Sequence, residues 1–340
     1  MKALFIGGTG TISMAITRRL AASGWELTLL NRGTRSAELP ENVECIRADV
    51  NDEEAVARLL EGRSFDVVGE FIGFVPAQVE RDIRLFAGRT RQYIYISSAS
   101  AYNKPCRDFM ITEGTTLANP YWEYSRNKIA CEELLMKAYR EKGFPVTVVR
   151  PSHTYDDRSI PVAIHGNGGS WQVIRRMLAG KPILIPGDGT SLWTLTYNED
   201  FAKAYTALMG NVHAIGEAYH ITGDEVLTWN QVHQTIADAL GVELHAFHVP
   251  ADFIAMPGKN DYAGALLGDK SNCVVFDNTK VKRLCPDFCT TIPFRQGVER
   301  ALKNILAHPE LQREDPEFDR WSDEVIRLMT EARKQLEAFS

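Results

Sequence analysis

No stretch of this chain stays apolar for the roughly 18 residues that a membrane-spanning helix requires. The opening run Ala3-Leu4-Phe5-Ile6 is cut by Gly7-Gly8 and has no cleavage site, so it does not read as a secretory leader. Positive charge is not in excess either: 38 Lys and Arg face 44 Asp and Glu, a formal net charge of −6. That balance lacks the basic footprint expected of a nucleic-acid or anionic-membrane binder. Of the six cysteines, only Cys285 and Cys289 are close in sequence, and no Cys or His pair stands around them at zinc-ligand spacing. They read as free thiols in a reducing compartment, and no metal is expected. There is no internal repeat and no low-complexity tract. These absences leave the expectation of a soluble cytoplasmic protein.

What is present is an ordinary globular balance, 44% hydrophobic and 24% charged over 340 residues. That length suits one large domain or two intimate ones. Short strand-like runs at 3–6, 26–30, 43–47, 65–71, 93–97 and 145–150 alternate with helical patterns at 14–23, 52–61, 76–87 and 123–141. This β-α-β-α rhythm predicts an α/β fold, a Rossmann-type doubly wound parallel sheet with helices on both faces. After Arg150 the rhythm loosens through Pro151, Pro161, Gly166, Gly168 and Gly169. Helical patterns return at 170–179, 198–209, 228–240 and 293–307. A charged segment at 316–339 carries an apolar stripe of Phe318, Trp321, Val325 and Leu328, which predicts an amphipathic helix. Residues 1–150 are therefore expected to form a dinucleotide-binding domain, to which later segments return. Residues 151–340 are expected to form mainly a smaller substrate lobe and C-terminal helices.

The first strand runs into Gly7-Gly8-Thr9-Gly10-Thr11-Ile12-Ser13, and a helix follows. Glycine suits a tight turn whose backbone must approach a pyrophosphate, and the helix N-terminus then faces the anion with free N–H groups. Gly7, Gly10, Thr11 and Ile12 are the expected contacts. The third glycine of the usual fingerprint is replaced by Ser13, at a position that serves close helix–strand packing. The second strand ends Asn31-Arg32-Gly33-Thr34-Arg35, with no acid to bond a ribose 2′-OH and repel a 2′-phosphate. Asn31, Arg32 and Arg35 therefore favour NADP over NAD, unless both arginines are merely solvated. Asp49, after the third strand, suits either an adenine amino group or the cap of the helix that begins near Asp52.

Tyr124-Ser125-Arg126-Asn127-Lys128 places Tyr124 and Lys128 four residues apart, on one face of a helix. A phenol needs a neighbouring cation to exchange protons near neutrality, and Lys128 supplies one and reaches a nicotinamide ribose as well. The pair alone is also common as a plain surface pair. The fifth strand ends Ser97-Ser98-Ala99-Ser100-Ala101-Tyr102, at the carboxyl edge where open α/β sheets bind ligands.

Together the 7–13 loop, residues 96–102, Tyr124 with Lys128, Arg150-Pro151, and Gly187-Asp188-Gly189 with the later Glu199-Asp200 resemble an extended short-chain dehydrogenase/reductase of the NAD-dependent epimerase/dehydratase group. The resemblance is good over residues 1–210, looser to residue 305, and does not reach the last 35 residues. The Gly-Gly loop and Asn-Arg-Gly look closer to an atypical branch whose members are labelled isoflavone-reductase-like, sugar-dehydratase-like or RNA-binding. The resemblance implies Ser98, Tyr124 and Lys128 as the catalytic triad, with Ser98 preferred over Ser97 and Ser100 because the family's serine lies four residues before the Tyr102 position. Glu70 falls where the family usually has small or amide residues near the cofactor, and reads either as a nicotinamide contact or as a solvated strand end.

Three departures bear on the substrate. The Asp-Glu that follows the serine or threonine in the family's dehydratases is absent, since Ala99-Ser100 stand there, so that elimination route is not expected. Trp193 occupies the place of an arginine that clamps a diphosphate, and His153 that of a substrate-contacting asparagine. Each reads either as a substrate contact or as a core residue. The expected function is hydride transfer with NADP or NAD on a carbonyl or secondary alcohol, by an oxidoreductase or epimerase. The substrate is a small molecule, a sugar, glycoside or other non-nucleotide compound; a homodimer is compatible with the reading, and no nucleic acid or membrane partner is favoured. The alternative is a dinucleotide-binding regulator or RNA-binding protein on the same fold.

Overall fold

Side chains on successive residues of a strand point to opposite faces, and in the first strand both sets are apolar. Ala3 and Phe5 enter one core, and Leu4 and Ile6 enter another. A strand buried on both faces belongs to a parallel sheet covered by helices. The computed structural model describes residues 1–33, 39–108, 110–256 and 261–339 and shows such a sheet. Its elements are β1 (Lys2–Ile6), α1 (Thr11–Ala22), β2 (Glu26–Asn31), β3 (Val43–Arg47), α2 (Glu53–Leu59), β4 (Val67–Glu70), α3 (Pro76–Phe86), β5 (Tyr93–Ile96), α4 (Glu123–Lys142), β6 (Val146–Pro151), α5 (Asn198–Leu208) and β7 (Ala218–Ile221). The seven strands run β7-β6-β5-β4-β1-β2-β3, all parallel. The strand order reverses between β1 and β4, and such sheets open a ligand crevice there.

One core lies under α1 and α5, with Ile16, Leu20, Phe201 and Leu208 on Phe5, Leu29 and Ile94. The other lies under α2, α3 and α4, with Val56, Val79, Phe86, Cys131 and Leu135 on Leu4, Val68, Tyr93 and Val148. The rhythm read from the first 150 residues thus appears as the doubly wound sheet. The seventh strand, Ala-Tyr-His-Ile at 218–221, had no counterpart in the sequence reading.

By contact, the described chain divides into two units. The first is Met1–Thr154 with Thr194–Asp224 and Val274–Thr291; the second is Tyr155–Trp193 with Glu225–Cys273 and Ile292–Ser340. In the second unit, Ile183–Pro186 and Ala246–Val249 pair in parallel, and helix Trp229–Leu240 packs on helix Phe294–Ala307. The terminal helix Pro316–Glu337 begins at Asp315, whose carboxylate accepts the Phe318 N–H. Phe318 and Val325 are buried and Trp321 stacks on Tyr262. Leu328, expected in the same stripe, is 44% exposed because the helix has run past its support by that turn. No helix among the described residues is long and apolar enough to cross a membrane.

The buried face of α4 carries two charges. Lys128 and Glu132 sit four residues apart among Ser125, Cys131, Leu135 and Ala138. Glu132 accepts from Arg150 of β6, Nη2 to Oε2 at 2.6 Å and Nε to Oε1 at 2.9 Å, and also from the Ser97 hydroxyl. Burial works against the Arg150 charge, but these bonds outweigh it and raise its pKa. The helix ends at Gly143, in the left-handed conformation at φ 67°. Glu132→Ala leaves a guanidinium buried without its anion, and the expected loss in urea unfolding is about 3–5 kcal/mol. Adding Arg150→Met restores most of it; a single variant within about 1 kcal/mol of the parent contradicts this account of how α4 is held.

Candidate active site

The turn after β1 uses glycine twice for steric reasons. Gly7 and Gly8 take φ of 102° and 92°, and a Cβ on Gly8 would stand 2.5 Å from Leu29 Cδ2. Ser13, in place of the third glycine, is buried, and its hydroxyl accepts the Gly10 N–H at 2.9 Å. The Thr17 hydroxyl donates to Gly8 O at 2.9 Å, and Asn198 of α5 donates to Thr11 O at 3.0 Å. Loop and helix start are therefore fixed by side chains, and Thr11 and Ile12 form the first residues of α1. A cradle that a Cβ would fill, closed by a helix N-terminus, fits a pyrophosphate.

Around the end of β2, Asn31 accepts the Gly33 N–H through Oδ1 at 2.9 Å, and Arg32 is exposed. Arg35 lies outside the described residues. Arg47, at the end of β3, was not singled out from the sequence. A Cβ on Gly33 would meet its Nε at 3.3 Å, so a second guanidinium stands beside the Asn31-Arg32-Gly33 turn. Its signal was the strand register, which pairs Asn31 with Arg47. Asp49 is exposed and accepts from Asn51 N and Nδ2 at 2.9 and 3.0 Å; the cap of α2 is Asp52, which accepts the Ala55 N–H. Of the two readings given to Asp49, the capping one is thereby withdrawn.

The ends of β4 and β5 and the face of α4 meet at Lys128. Its ammonium donates to Gly73 O and to Ile96 O, both at 2.7 Å, and lies 5.8 Å from the centre of the Tyr124 ring. Phe74 and Tyr95 also face it, at 4.8 and 4.9 Å. Burial lowers its pKa from 10.5 to about 8, against the raising influence of Cys131, Glu70 and Glu132. Tyr124 is half-buried between Trp122 and Phe74.

Ser98 is also half-buried. Its hydroxyl lies 2.8 Å from that of Ser100, which lies 2.7 Å from that of Ser125 on α4. Asn119 ties this chain of hydroxyls to the start of the helix: its Nδ2 donates to Ser100 O, and its Oδ1 accepts the N–H groups of Tyr121 and Trp122. Ser97 instead points at Glu132. Ser100, Ser125 and Asn119 were missed as supports because a small polar residue carries no periodic signal of its own.

Glu70 is not a solvated strand end: it is fully buried. One oxygen accepts the Ile72 N–H, and the other lies 3.7 Å from Arg81, which also bonds Asp82 at 2.8 Å. Burial, with Asp82 beside it, pushes its pKa well above the ordinary carboxyl value. Its bond shapes the turn that offers Gly73 O to Lys128. His153, at the start of the short strand His153–Tyr155, is half-buried.

Trp193 belongs to the second unit and is only 2% exposed. Its indole N–H is donated to Lys270 O at 3.1 Å, and its ring packs 5.0 Å from that of Trp229. The expectation of a stacking surface is corrected here: of the two readings, the core tryptophan holds. Among the described residues no group of His, Cys, Asp and Glu is arranged to hold a metal.

The profile of the NAD dependent epimerase/dehydratase family matches residues 3–222. The chain is 27% identical over 289 residues to 2'-dehydrokanamycin reductase from Streptomyces kanamyceticus, covering 85% of this chain and 80% of that protein. It is also 27% identical to the chloroplast stem-loop binding protein of 41 kDa b from Arabidopsis thaliana, over 71% of this chain and 63% of that one. Among solved structures it is similar to dTDP-glucose 4,6-dehydratase from Bacillus anthracis in complex with NAD, with a TM-score of 0.73 at 19% identity over 91% of this chain and 98% of that one. With the match running from β1 through β7, across the glycine loop and the Tyr124 helix alike, the chain belongs to the NAD-dependent epimerase/dehydratase family.

Proposed function

We propose that this protein transfers hydride between a nicotinamide dinucleotide and a carbonyl or secondary alcohol of a sugar or glycoside, with Ser98, Tyr124 and Lys128 as the reacting set. The observation that carries the reading is the seating of the Lys128 ammonium between two backbone carbonyls, 5.8 Å from the Tyr124 ring, at the carboxyl edge of the sheet. Bound along the turn of Gly7, Gly10, Thr11 and Ile12, the dinucleotide supplies the hydride. Tyr124 exchanges the proton of the substrate oxygen, because a nearby ammonium favours the phenolate of a group that otherwise titrates near pH 10. Ser98 orients that oxygen, itself held by Ser100. His153 is a candidate substrate contact, and Asp49 an adenine contact.

The relative named 2'-dehydrokanamycin reductase supports a glycoside carbonyl as substrate. A clamped diphosphate is not supported, since Trp193 cannot neutralise charge. Arg158, Arg175 and Arg176 of the second unit are each engaged by carboxylates, those of Asp156, Glu314 and Asp319. A second reading, an RNA-binding protein on the same fold, is favoured only by the name of the chloroplast relative and opposed by the net charge of −6.

Tyr124→Phe is expected to leave dinucleotide affinity intact and to slow NADPH-coupled reduction of keto-glycosides by about 10² or more; parent-rate turnover contradicts the proton role. Because the folded pKa of Lys128 lies below its free value, the ammonium is present below about pH 8 and is lost as pH rises through it. Turnover therefore declines above that pH. In Lys128→Met, slow at every pH, this limb is absent.

Cofactor choice is expected to favour NADPH, through Arg32 and Arg47. Arg32→Asp flattens or reverses that preference in a fluorescence titration, and tighter binding of NADH by the parent protein overturns it.

A further inference from the structure

The second unit contains a buried cation, Lys270, that makes no salt bridge among the described residues. Lys270 is the last residue of a π-helical run, Ala263–Lys270, a rare geometry often found at functional sites. Its side chain is 7% exposed. Its carbonyl is pinned by two indole N–H groups, from Trp193 at 3.1 Å and Trp229 at 2.8 Å. Its ammonium has a single acceptor among the described residues, Nε2 of His165 at 3.4 Å. The Nδ1 of that ring lies 2.9 Å from Gly166 O and must donate to it, so Nε2 carries the lone pair of a neutral imidazole.

An ammonium has three N–H donors, so two of them go without an acceptor among the described residues. On the next residue, the Ser271 hydroxyl oxygen is buried and has no hydrogen-bond partner among the described residues. Buried donors left without acceptors are costly, and an anion is a ligand that satisfies the two open N–H groups of the ammonium. The arginines of the same unit contrast with this, since Arg158, Arg175 and Arg176 already face carboxylates.

We infer that Lys270, its ammonium backed by the Nε2 lone pair of His165, forms a site for one oxyanion group, a carboxylate or a phosphate monoester. The site uses no residue of the Ser98–Lys128 constellation and goes beyond the proposed hydride chemistry. Burial lowers the pKa of Lys270 to about 8, and that of His165 to about 4, with Lys270 adding to the latter. His233 is likewise held to about 4 by burial, its ring nitrogens bonded to Trp229 O and the Ala163 N–H. Asp269 acts on Lys270, and Asp315 on His165, in the opposite direction. An anion stabilises the ammonium, so its binding is strong while Lys270 is protonated and weakens as pH rises through about 8.

The test uses protein saturated with NADPH, because the glycine loop itself attracts oxyanions, with cofactor binding read first by fluorescence. Sulfate, whose own charge is constant over the range, is titrated by calorimetry between about pH 7 and pH 9.5. Affinity is expected to fall about tenfold or more across that range in the parent, and by as much at pH 7 in Lys270→Met, while Lys270→Arg keeps most of it. Glucose 1-phosphate is titrated beside inorganic phosphate: tighter binding of the ester assigns the anion to a sugar ligand, and equal binding assigns it to a free ion. Sulfate affinity unchanged in Lys270→Met, a flat pH profile in the parent, or no binding at millimolar sulfate overturns the site. Should Lys270→Met fail to fold, the parent pH profile alone decides. A protein that binds no dinucleotide yet loses sulfate with Lys270→Met refutes the cofactor reading and leaves the anion site standing.

Discussion

The arrangement of the first unit depends on one buried ion pair, Glu132 with Arg150. Both side chains are almost wholly enclosed, and their bonds join the middle of α4 to β6 while the Ser97 hydroxyl joins the same carboxylate to the end of β5. A long helix on a sheet is free to slide or rotate by a turn if only apolar contacts hold it, since methylene groups are interchangeable. A charge pair with defined geometry removes that freedom. Tyr124 and Lys128 lie eight and four residues before Glu132, on the same helix face, so fixing the carboxylate fixes the phenol and the ammonium.

The second constraint is where the sheet reverses. The turn after β1 and the turn after β4 come together there: a Cβ on Gly7 would touch Phe71 and Ile72. Glu70 works on the second turn from beneath, its carboxyl oxygen accepting the Ile72 N–H, and the same turn offers Gly73 O to Lys128. The glycine loop, the buried acid and the lysine are therefore consecutive contacts in one crevice rather than separate motifs.

Much of this was legible in the sequence. The first six strands and the long helices were found within a few residues of their places because they alternate in a regular β-α-β rhythm. The glycine loop and the Tyr124–Lys128 spacing were visible because backbone turns and helix faces are local properties. What was not legible depends on residues distant in the chain. Arg47 reaches Gly33 through strand register, and Ser100 meets Ser125 only when β5 lies against α4. Trp193 invited a ligand-facing reading by its place in the sequence, yet its surroundings are Trp229 and Lys270, which no spacing predicts. Lys270 is the clearest case, since having one acceptor for its ammonium among the described residues is a property of a whole neighbourhood.

The two backbone carbonyls that hold Lys128 have an evolutionary consequence. One ammonium both fastens α4 to the turn after β4 and the end of β5 and stands beside a phenol. A descendant of this chain that abandoned hydride chemistry, to bind RNA or to serve as a regulator, would still be selected to keep the lysine as a fastener. On the proposed chemistry the tyrosine is kept for its proton, and it would drift first. Within this fold, the survival of the lysine alone is a record of architecture, and the survival of the tyrosine beside it is the better record of an enzyme.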